Sequence, residues 1–354
     1  MENLGRDKPS LKGLGSIKRK NLAIASGELI KTEYLQPDQT FPLVIRPALE
    51  GVDLINWAAS NGEFLQQQLW QHGAILFRNF HISTIPEFHR FIASTSTEMM
   101  EYHERSSPRT QVSGKIYTST DYPAEYPIFL HNELSFRHTF PLKIFFFCLT
   151  PALEAGETPI LDTRKLYRRI DPKIKERFMR KQWMLVRNYG AGLGFSWQES
   201  FQMTEKAEVE AYFRNADLAY EWKDSTHLRT RHIRPAITSH PFTHEMVWFN
   251  EIVVFHVSTL EKHIREAMLA EFKEEDLPAN TYYGDGSPIE LSILDELREA
   301  YRQETVTFPW QAGDILMLDN MLAAHGRARY VGPRKILVGM SDPYSWKQLQ
   351  EQKG

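Results

Sequence analysis

Apolar residues recur at intervals of three and four in VDLINWAASNGEFLQQQLWQH at 52–72, where Leu54, Trp57, Ala58, Phe64 and Leu69 predict a helix against a core, stopped by Gly73. AILFRNF at 74–80 then reads as a strand and IPEFHRFIAST at 85–95 as the next helix. Residues 100–130 are rich in Pro, Tyr, Ser and Thr with little periodicity, which predicts a long loop serving as a lid or binding element. From Lys143 to Thr150 the pattern is almost wholly apolar, as in a strand buried on both faces, and Gly156 turns the chain. Shorter strands are predicted at TPILD (158–162), MLVRNYG (184–190), ITSHP (237–241), MVWFNEIVVFHV (246–257), VTFPW (306–310), DILMLDN (314–320) and ILVGM (336–340). Helices are predicted at 172–180, 206–216, 260–275 and 289–302. Many short strands with a few inserted helices suit a barrel-like or sandwich β core better than a βαβ repeat.

Composition narrows the chemistry. The 354 residues are enough for one large domain or two small ones, and an aromatic share of 12% indicates a densely packed interior. With 42 Lys+Arg against 45 Asp+Glu the net charge is −3, which argues against a nucleic-acid or anionic-membrane binder. Residues 1–20 carry six Lys or Arg against two acids, a basic cluster that reads as a solvated tail. The longest strongly apolar run, 144–149, has six residues, far short of the roughly 20 of a membrane span. No export signal is evident, so a cytoplasmic protein is expected. Cys148 is the single cysteine, so any bound metal must be held by His and carboxylate.

The segment LHNELSF places His131 and Glu133 two residues apart, so on a strand or at its end both side chains leave the same face. Chance alone supplies about 1.7 such His-x-acid pairs at this composition and the chain has one, so the count carries nothing. Context does. Near the other end, GDILMLDNMLAAHGRARYVGPRK offers a buried strand, then His325, then Arg327, Arg329 and Arg334. Two imidazoles and one carboxylate on one side of Fe(II) leave three positions open for a bidentate 2-oxoacid and O2, and an arginine would balance the far carboxylate of that cosubstrate. Arg327 and Arg329 read as solvated charges, and His240, His244 and His256 as structural rather than as a second metal site. The eight Trp, Trp248 and Trp310 among them, read as core.

On these residues the sequence resembles the TauD/TfdA-like Fe(II)/2-oxoglutarate dioxygenases. Five segments follow that family in order: His131-Asn-Glu133, the Gly-Glu-Thr-Pro block containing Thr158, HPFTHEMVWFN at 240–250, GDILMLDN at 313–320, and AHGR…GPRK. Within the family it most resembles the SyrP-like amino-acid hydroxylase branch, through HNELSF, PLKIFFFCLTPALEAGETPILDTRKLY, VRNYGAGLGFSWQESF and YYGDGSPI. The chain departs from the family at Thr243-His244-Glu245, where relatives usually have Thr-Gly-Glu.

The resemblance implies a mainly β fold with helical insertions around a double-stranded β-helix (jelly-roll, cupin-like) core. It implies a single dioxygenase domain at 41–345, with a basic tail and lead-in at 1–40 and a tail at 346–354. His131, Glu133 and His325 match the iron ligands. Thr158 matches a cosubstrate-binding threonine. Arg334 matches the cosubstrate arginine in type and region, with Lys335 adjacent; strand alternation lets only one face the pocket, and Arg334 is favoured. The implied activity uses Fe(II), 2-oxoglutarate and O2 to hydroxylate an unactivated C–H of an amino acid, in specialised-metabolite or nonribosomal peptide biosynthesis. The substrate is free or tethered to a carrier protein, and the residues do not decide which. A retained carboxylate ligand argues for hydroxylation or desaturation over halogenation. The alternatives are a catabolic TauD-type dioxygenase acting on a small sulfonate or other organic acid, which would carry a further arginine where this chain has Val338, and a non-catalytic barrel, which would lack part of the triad.

Overall fold

The computed structural model describes residues 29–190 and 194–352, so the basic cluster of 1–20 lies outside the described residues. An eight-stranded sheet runs in the order Ile30–Gln36, Gln39–Pro47, Ala74–Phe77, Ile315–Asp319, Thr139–Thr150, Lys335–Ser345, Ile116–Thr118, Gln111–Ser113. Alternation along its central strand explains the unbroken apolar run. Ile144, Phe146 and Cys148 point into one core, while Phe145 and Phe147 point into a second core built with Leu54, Trp57, Leu69, Phe88 and Phe91. The helices of 54–95 therefore cover one face, and the opposite face is turned towards a three-stranded sheet, Ile128–His131, Ala323–Arg327 and Ile160–Asp162. The two sheets meet where the Phe146 ring lies 5.0 Å from that of His325.

A four-stranded sheet, Ala219–Trp222, Leu228–Arg234, Trp183–Tyr189 and Ala279–Tyr283, carries the helical insertions Trp197–Phe201 and Lys206–Asn215. The fold is mainly β with helical insertions, as predicted. Among the described residues no helix is long and apolar enough to cross a membrane.

Several predicted elements differ. The helix expected over 52–72 is two, Leu54–Ser60 and Gly62–His72, because Asp53 caps the first through the Ile55 and Asn56 N–H groups and Asn61 breaks the run. Gly73, at φ 73°, ends the second as expected. The strand expected over 246–257 is only Met246–Trp248; Asn250 Oδ1 accepts from the Ile252 N–H and the apolar run continues as the helix Ile252–Phe255. Periodicity does not separate a short buried strand from a short buried helix. VTFPW forms no strand: Val306 makes an isolated bridge to Ile160, and Pro309 lacks the N–H a ladder needs. The lead-in before residue 41 contains the edge strand Ile30–Gln36, and the stretch after 345 contains the helix Trp346–Glu351, which buries Trp346 and Leu349.

Candidate active site

His131 ends its strand, and Glu133 lies in the turn that follows. His325 is the antiparallel partner of His131 in the adjacent strand, so residues 194 positions apart become cross-strand neighbours with ring centroids 4.5 Å apart. Nε2 of His131 lies 3.7 Å, and Nε2 of His325 3.5 Å, from Glu133 Oε2. One ligand atom from each residue falls within 4.8 Å of the others, and among the described residues no other such cluster occurs. Metal bonds of about 2.1 Å put neighbouring octahedral ligands roughly 3 Å apart, so the two His–Glu pairs would each close by about 0.5–0.7 Å on a bound ion.

The protonation states suit metal binding. His131 Nδ1 is 2.8 Å from the Phe129 carbonyl, which only accepts, so Nδ1 is the donor there and Nε2 is the ring atom turned towards Glu133. Burial, with His131 alongside, pushes His325 down to about 4 and keeps it neutral. Burial pushes the Glu133 carboxyl up, but Arg109 and the two imidazoles hold it well below the usual carboxylate range. Two imidazoles and a carboxylate form the donor set of a facial Fe(II) site with open positions.

The turn carrying Glu133 is fixed by an asparagine that sequence reasoning did not single out. Asn320 Oδ1 accepts from the Glu133 N–H at 2.8 Å, and its Nδ2 donates to the carbonyls of Glu133 and Pro141, each at 2.9 Å. Asn132 donates back to the Asn320 carbonyl at 2.7 Å and its Oδ1 accepts from the Asn250 N–H at 3.4 Å, so HNE, WFN and LDN meet around one turn. Removing an outer partner of a metal ligand typically costs 10–100-fold in metal affinity. Asn320→Ala is accordingly expected to weaken Fe(II) binding about 10–100-fold without unfolding the protein, as read by metal titration and circular dichroism.

Gly326 serves the same geometry. A Cβ there would lie 2.6 Å from the Ile128 carbonyl oxygen, a backbone atom of the strand that carries His131. Gly326→Ala is expected to push the two strands apart and weaken Fe(II) binding by about tenfold or more, because metal ligands tolerate little displacement. An unchanged affinity in the same titration would show that the strands absorb the methyl group.

Beside the two imidazoles lies a small cavity lined by Ser119, Phe146, Thr158, Arg327 and Arg334. Arg334 reaches it and Lys335 is exposed, so of the two adjacent cations Arg334 is the one placed there. Arg334 donates to the Gly156 carbonyl at 2.8 Å, to Ser119 Oγ at 3.2 Å and to Thr158 Oγ1 at 3.4 Å. All three partners are neutral. Burial and the neighbouring Arg327 push its pKa down to about 10, the mark of a guanidinium lacking an anion. Thr158 Oγ1 also accepts from the Trp310 indole N–H at 3.2 Å. An anionic group entering this cavity finds an unpaired cation and a hydroxyl held in place.

A second cavity, of about 300 Å³, opens from His131 and Glu133 between the 106–129 segment and the helical region after Glu251. The segment expected to be a long loop thus forms a wall of the cavity, although it also contains the short strands Gln111–Ser113 and Ile116–Thr118. Two of its anchors are side chains buried at either end. Arg327, expected to be solvated, is buried and donates to the carbonyls of Thr120, Tyr122, Pro123 and Tyr126. Glu104 is buried against the inserted sheet, where it accepts from the Tyr212 hydroxyl at 2.6 Å and lies 3.1 Å from His232 Nε2 and 3.5 Å from Arg137 Nε. Arg329 is exposed, as expected.

Two further charged groups face the metal position. Arg109 Nη2 donates to both carboxylate oxygens of Glu133 at 2.9 Å, and its guanidinium stacks 4.6 Å from the Tyr102 ring. Its Nε and Nη1 are buried without partners. Glu251 is buried at the cavity wall, and burial together with the charge of Glu133 pushes its carboxyl well above the usual range. Sequence gave no signal for either: Arg109 sits in a stretch without periodicity, and Glu251 in what reads as a strand. His240 and His256 are occupied locally, by Asp319 Oδ2 at 3.1 Å and Ser258 Oγ at 2.8 Å, so they belong to no second metal site.

The family described as "Taurine catabolism dioxygenase TauD, TfdA family" matches residues 31–341, nearly the whole of the described chain. The chain belongs to the TauD/TfdA family. As a TauD/TfdA enzyme it is an oxidoreductase, a dioxygenase using Fe(II), 2-oxoglutarate and O2. Dapdiamide synthesis protein DdaC of Enterobacter agglomerans is 36% identical over 310 residues, 84% of this chain and 94% of DdaC. A clavaminate synthase-like protein of Arabidopsis thaliana is 26% identical over 337 residues, 88% of this chain and 99% of the plant protein. Among solved structures, PvcB of Pseudomonas aeruginosa superposes with a TM-score of 0.54 at 15% identity, covering 90% of this chain and 93% of PvcB, and shares the jelly-roll fold. The departure from other TauD/TfdA members at His244 is accommodated by a left-handed conformation: His244 has φ 60° and donates to the His240 carbonyl at 3.0 Å, closing the turn that glycine would make without strain.

Proposed function

We propose that this dioxygenase hydroxylates an unactivated C–H bond of an amino acid, free or tethered to a carrier protein, in the biosynthesis of a specialised metabolite. In this reading His131, Glu133 and His325 hold Fe(II), and Thr158 and Arg334 hold 2-oxoglutarate. The observation that carries it is the convergence of two imidazoles and a carboxylate within 4.8 Å, beside a half-buried guanidinium whose hydrogen-bond partners are all neutral. The SyrP-like motifs and the likeness to DdaC, a dapdiamide synthesis protein, support the biosynthetic setting. The same proposal takes residues 41–345 to act as one unit, since ligands at 131 and 325 share one site, and takes the enzyme to be cytoplasmic.

When bound, Fe(II) with 2-oxoglutarate reduces O2, releasing CO2 and succinate, and supplies the oxidising power for the C–H bond. The chain's own residues orient and exclude. Arg334 neutralises the far carboxylate of the cosubstrate, and Thr158, fixed by the Trp310 N–H, donates its hydroxyl hydrogen to that carboxylate. Asn320 keeps Glu133 aimed at the metal, and the 106–129 wall, tied down by Arg327, keeps bulk water from the reacting centre.

The catabolic alternative needs a second arginine four residues beyond Arg334, and Val338 there is fully buried in the apolar core. The test is a mass scan of aerobic reactions with Fe(II) and 2-oxoglutarate over amino acids, their carrier-bound thioesters and small sulfonates such as taurine. A gain of 16 on an amino acid or its thioester supports the proposal and a loss of 2 shows desaturation. Turnover of a sulfonate alone would overturn it.

A further inference from the structure

The cavity next to the metal position contains a buried carboxylate that neither the iron nor the cosubstrate uses. Glu251 lies at the start of the helix Ile252–Phe255 and is 4% exposed. Its partners within the protein are the Ser135 hydroxyl at 3.4 Å and the Phe136 backbone N–H. Among the described residues it forms no ion pair, unlike the buried Glu104, Glu133 and Asp314, which face Arg137, Arg109 and Arg78. Around it the cavity wall is mostly apolar, with Tyr122, Phe129, Val254, Phe255, Leu260 and Ile264.

The charges of the wall are unbalanced. It carries three acids, Glu133, Glu251 and Glu261, and one cation, Arg109, which is already engaged by both oxygens of Glu133. A carboxyl group in a mostly apolar wall without a directly paired cation is unfavourable as an ion; the buried Arg187 nearby offsets its charge only in part, and an occupant of the cavity carrying a positive charge would complete the compensation. Burial and the nearby Glu133 charge already disfavour its ionisation in the absence of such an occupant.

We infer that Glu251 is the recognition residue for a positively charged amino group of the substrate, so that the class of molecule entering this cavity is a primary ammonium compound with an apolar or weakly polar body. The inference rests on the proposed amino-acid oxygenase reading and deepens it: it assigns the amine to Glu251, which lines the larger cavity and not the cosubstrate cavity. Arg109, whose Nε and Nη1 have no partner, lines both cavities and stands between the two recognition points. The reading of free against carrier-tethered substrate is unaffected, since a thioester replaces the carboxyl group and leaves the amine.

The experiment uses the full chain loaded anaerobically with Fe(II) and 2-oxoglutarate, and follows the perturbation of the visible charge-transfer band. The probes are the twenty proteinogenic L-amino acids, their N-acetylcysteamine thioesters, and matching compounds with each amine replaced by hydrogen. Amine-bearing compounds are expected to perturb the wild-type band, and loss of the amine to weaken binding by about tenfold or more. Glu251→Gln, carrying a full unperturbed Fe(II)–2-oxoglutarate band that shows its site is folded, is expected to weaken the amine-bearing binder by about tenfold or more and its amine-free counterpart by less than twofold. Glu251→Asp should recover part of that loss.

Three results overturn the inference: no amine-bearing compound perturbs the wild-type band, amine-free compounds bind as well as their parents, or Glu251→Gln weakens both alike, which would make Glu251 a structural residue of the cavity wall, held by Ser135, and not a recognition residue. Failure of the amino-acid oxygenase reading is distinguishable, because the mass scan would then show turnover of a sulfonate alone whatever Glu251→Gln does to amine binding.

Discussion

Replacing Arg334 by leucine is expected to raise the 2-oxoglutarate concentration needed for half-maximal band formation by about 100-fold or more, leaving Fe(II) binding within about threefold. The guanidinium is largely enclosed and its hydrogen-bond partners are all neutral, so on the proposed assignment the cosubstrate carboxylate is the anion that pairs with it. Removing one partner of a buried ion pair costs about 3–5 kcal/mol, because the other charge is left unpaired. That is two or more factors of ten in affinity. Arg334→Lys returns the charge without the planar fork and should recover only part of the loss. Lys335→Leu is the control: the side chain is exposed, and its removal should change the half-maximal concentration less than twofold. If Lys335→Leu matched Arg334→Leu, the assignment of the cosubstrate cation would be reversed.

Glu133→Ala should abolish turnover, by about a thousandfold or more, and should also lower the stability of the apoprotein. The two effects have different causes. Turnover fails because two imidazoles alone no longer define a facial site. Stability falls because Arg109, buried and held at 2.9 Å by both Glu133 oxygens, loses its anion. The double variant Glu133→Ala with Arg109→Leu is therefore expected to regain part of the lost thermal stability and none of the activity. Thermal unfolding and succinate release separate the two. A double variant no more stable than Glu133→Ala would show that the Arg109 charge is not the destabilising element.

What the sequence made legible follows from where the information is local. His131 and Glu133 are two residues apart at a strand end, so one short motif announces both. His325 was reached through motif order rather than proximity; its meeting with His131 depends on the register of the strands 128–131 and 323–327, which no local pattern encodes. The all-apolar strand around Phe145 was read correctly because a sheet covered on both faces leaves no polar positions. Arg109 and Glu251 were invisible because their meaning is tertiary. Arg327 was misread for the same reason: a cation in a run of arginines reads as solvated until the carbonyls of 120–126 are seen to converge on it. The helix Ile252–Phe255 reads as strand in the sequence because four consecutive apolar residues, of which Ile252 and Val253 are buried, fit either period.

The central claim is that the three residues converging at 131, 133 and 325 bind one Fe(II) which, with 2-oxoglutarate, forms the oxidising centre. Anaerobic titration of the wild-type chain with Fe(II) in the presence of 2-oxoglutarate, watched for the weak visible charge-transfer band, tests it most directly. The account predicts a band that saturates at one Fe(II) per chain and is absent in His131→Ala and His325→Ala. No band in the wild type, or an undiminished band in either variant, would contradict it.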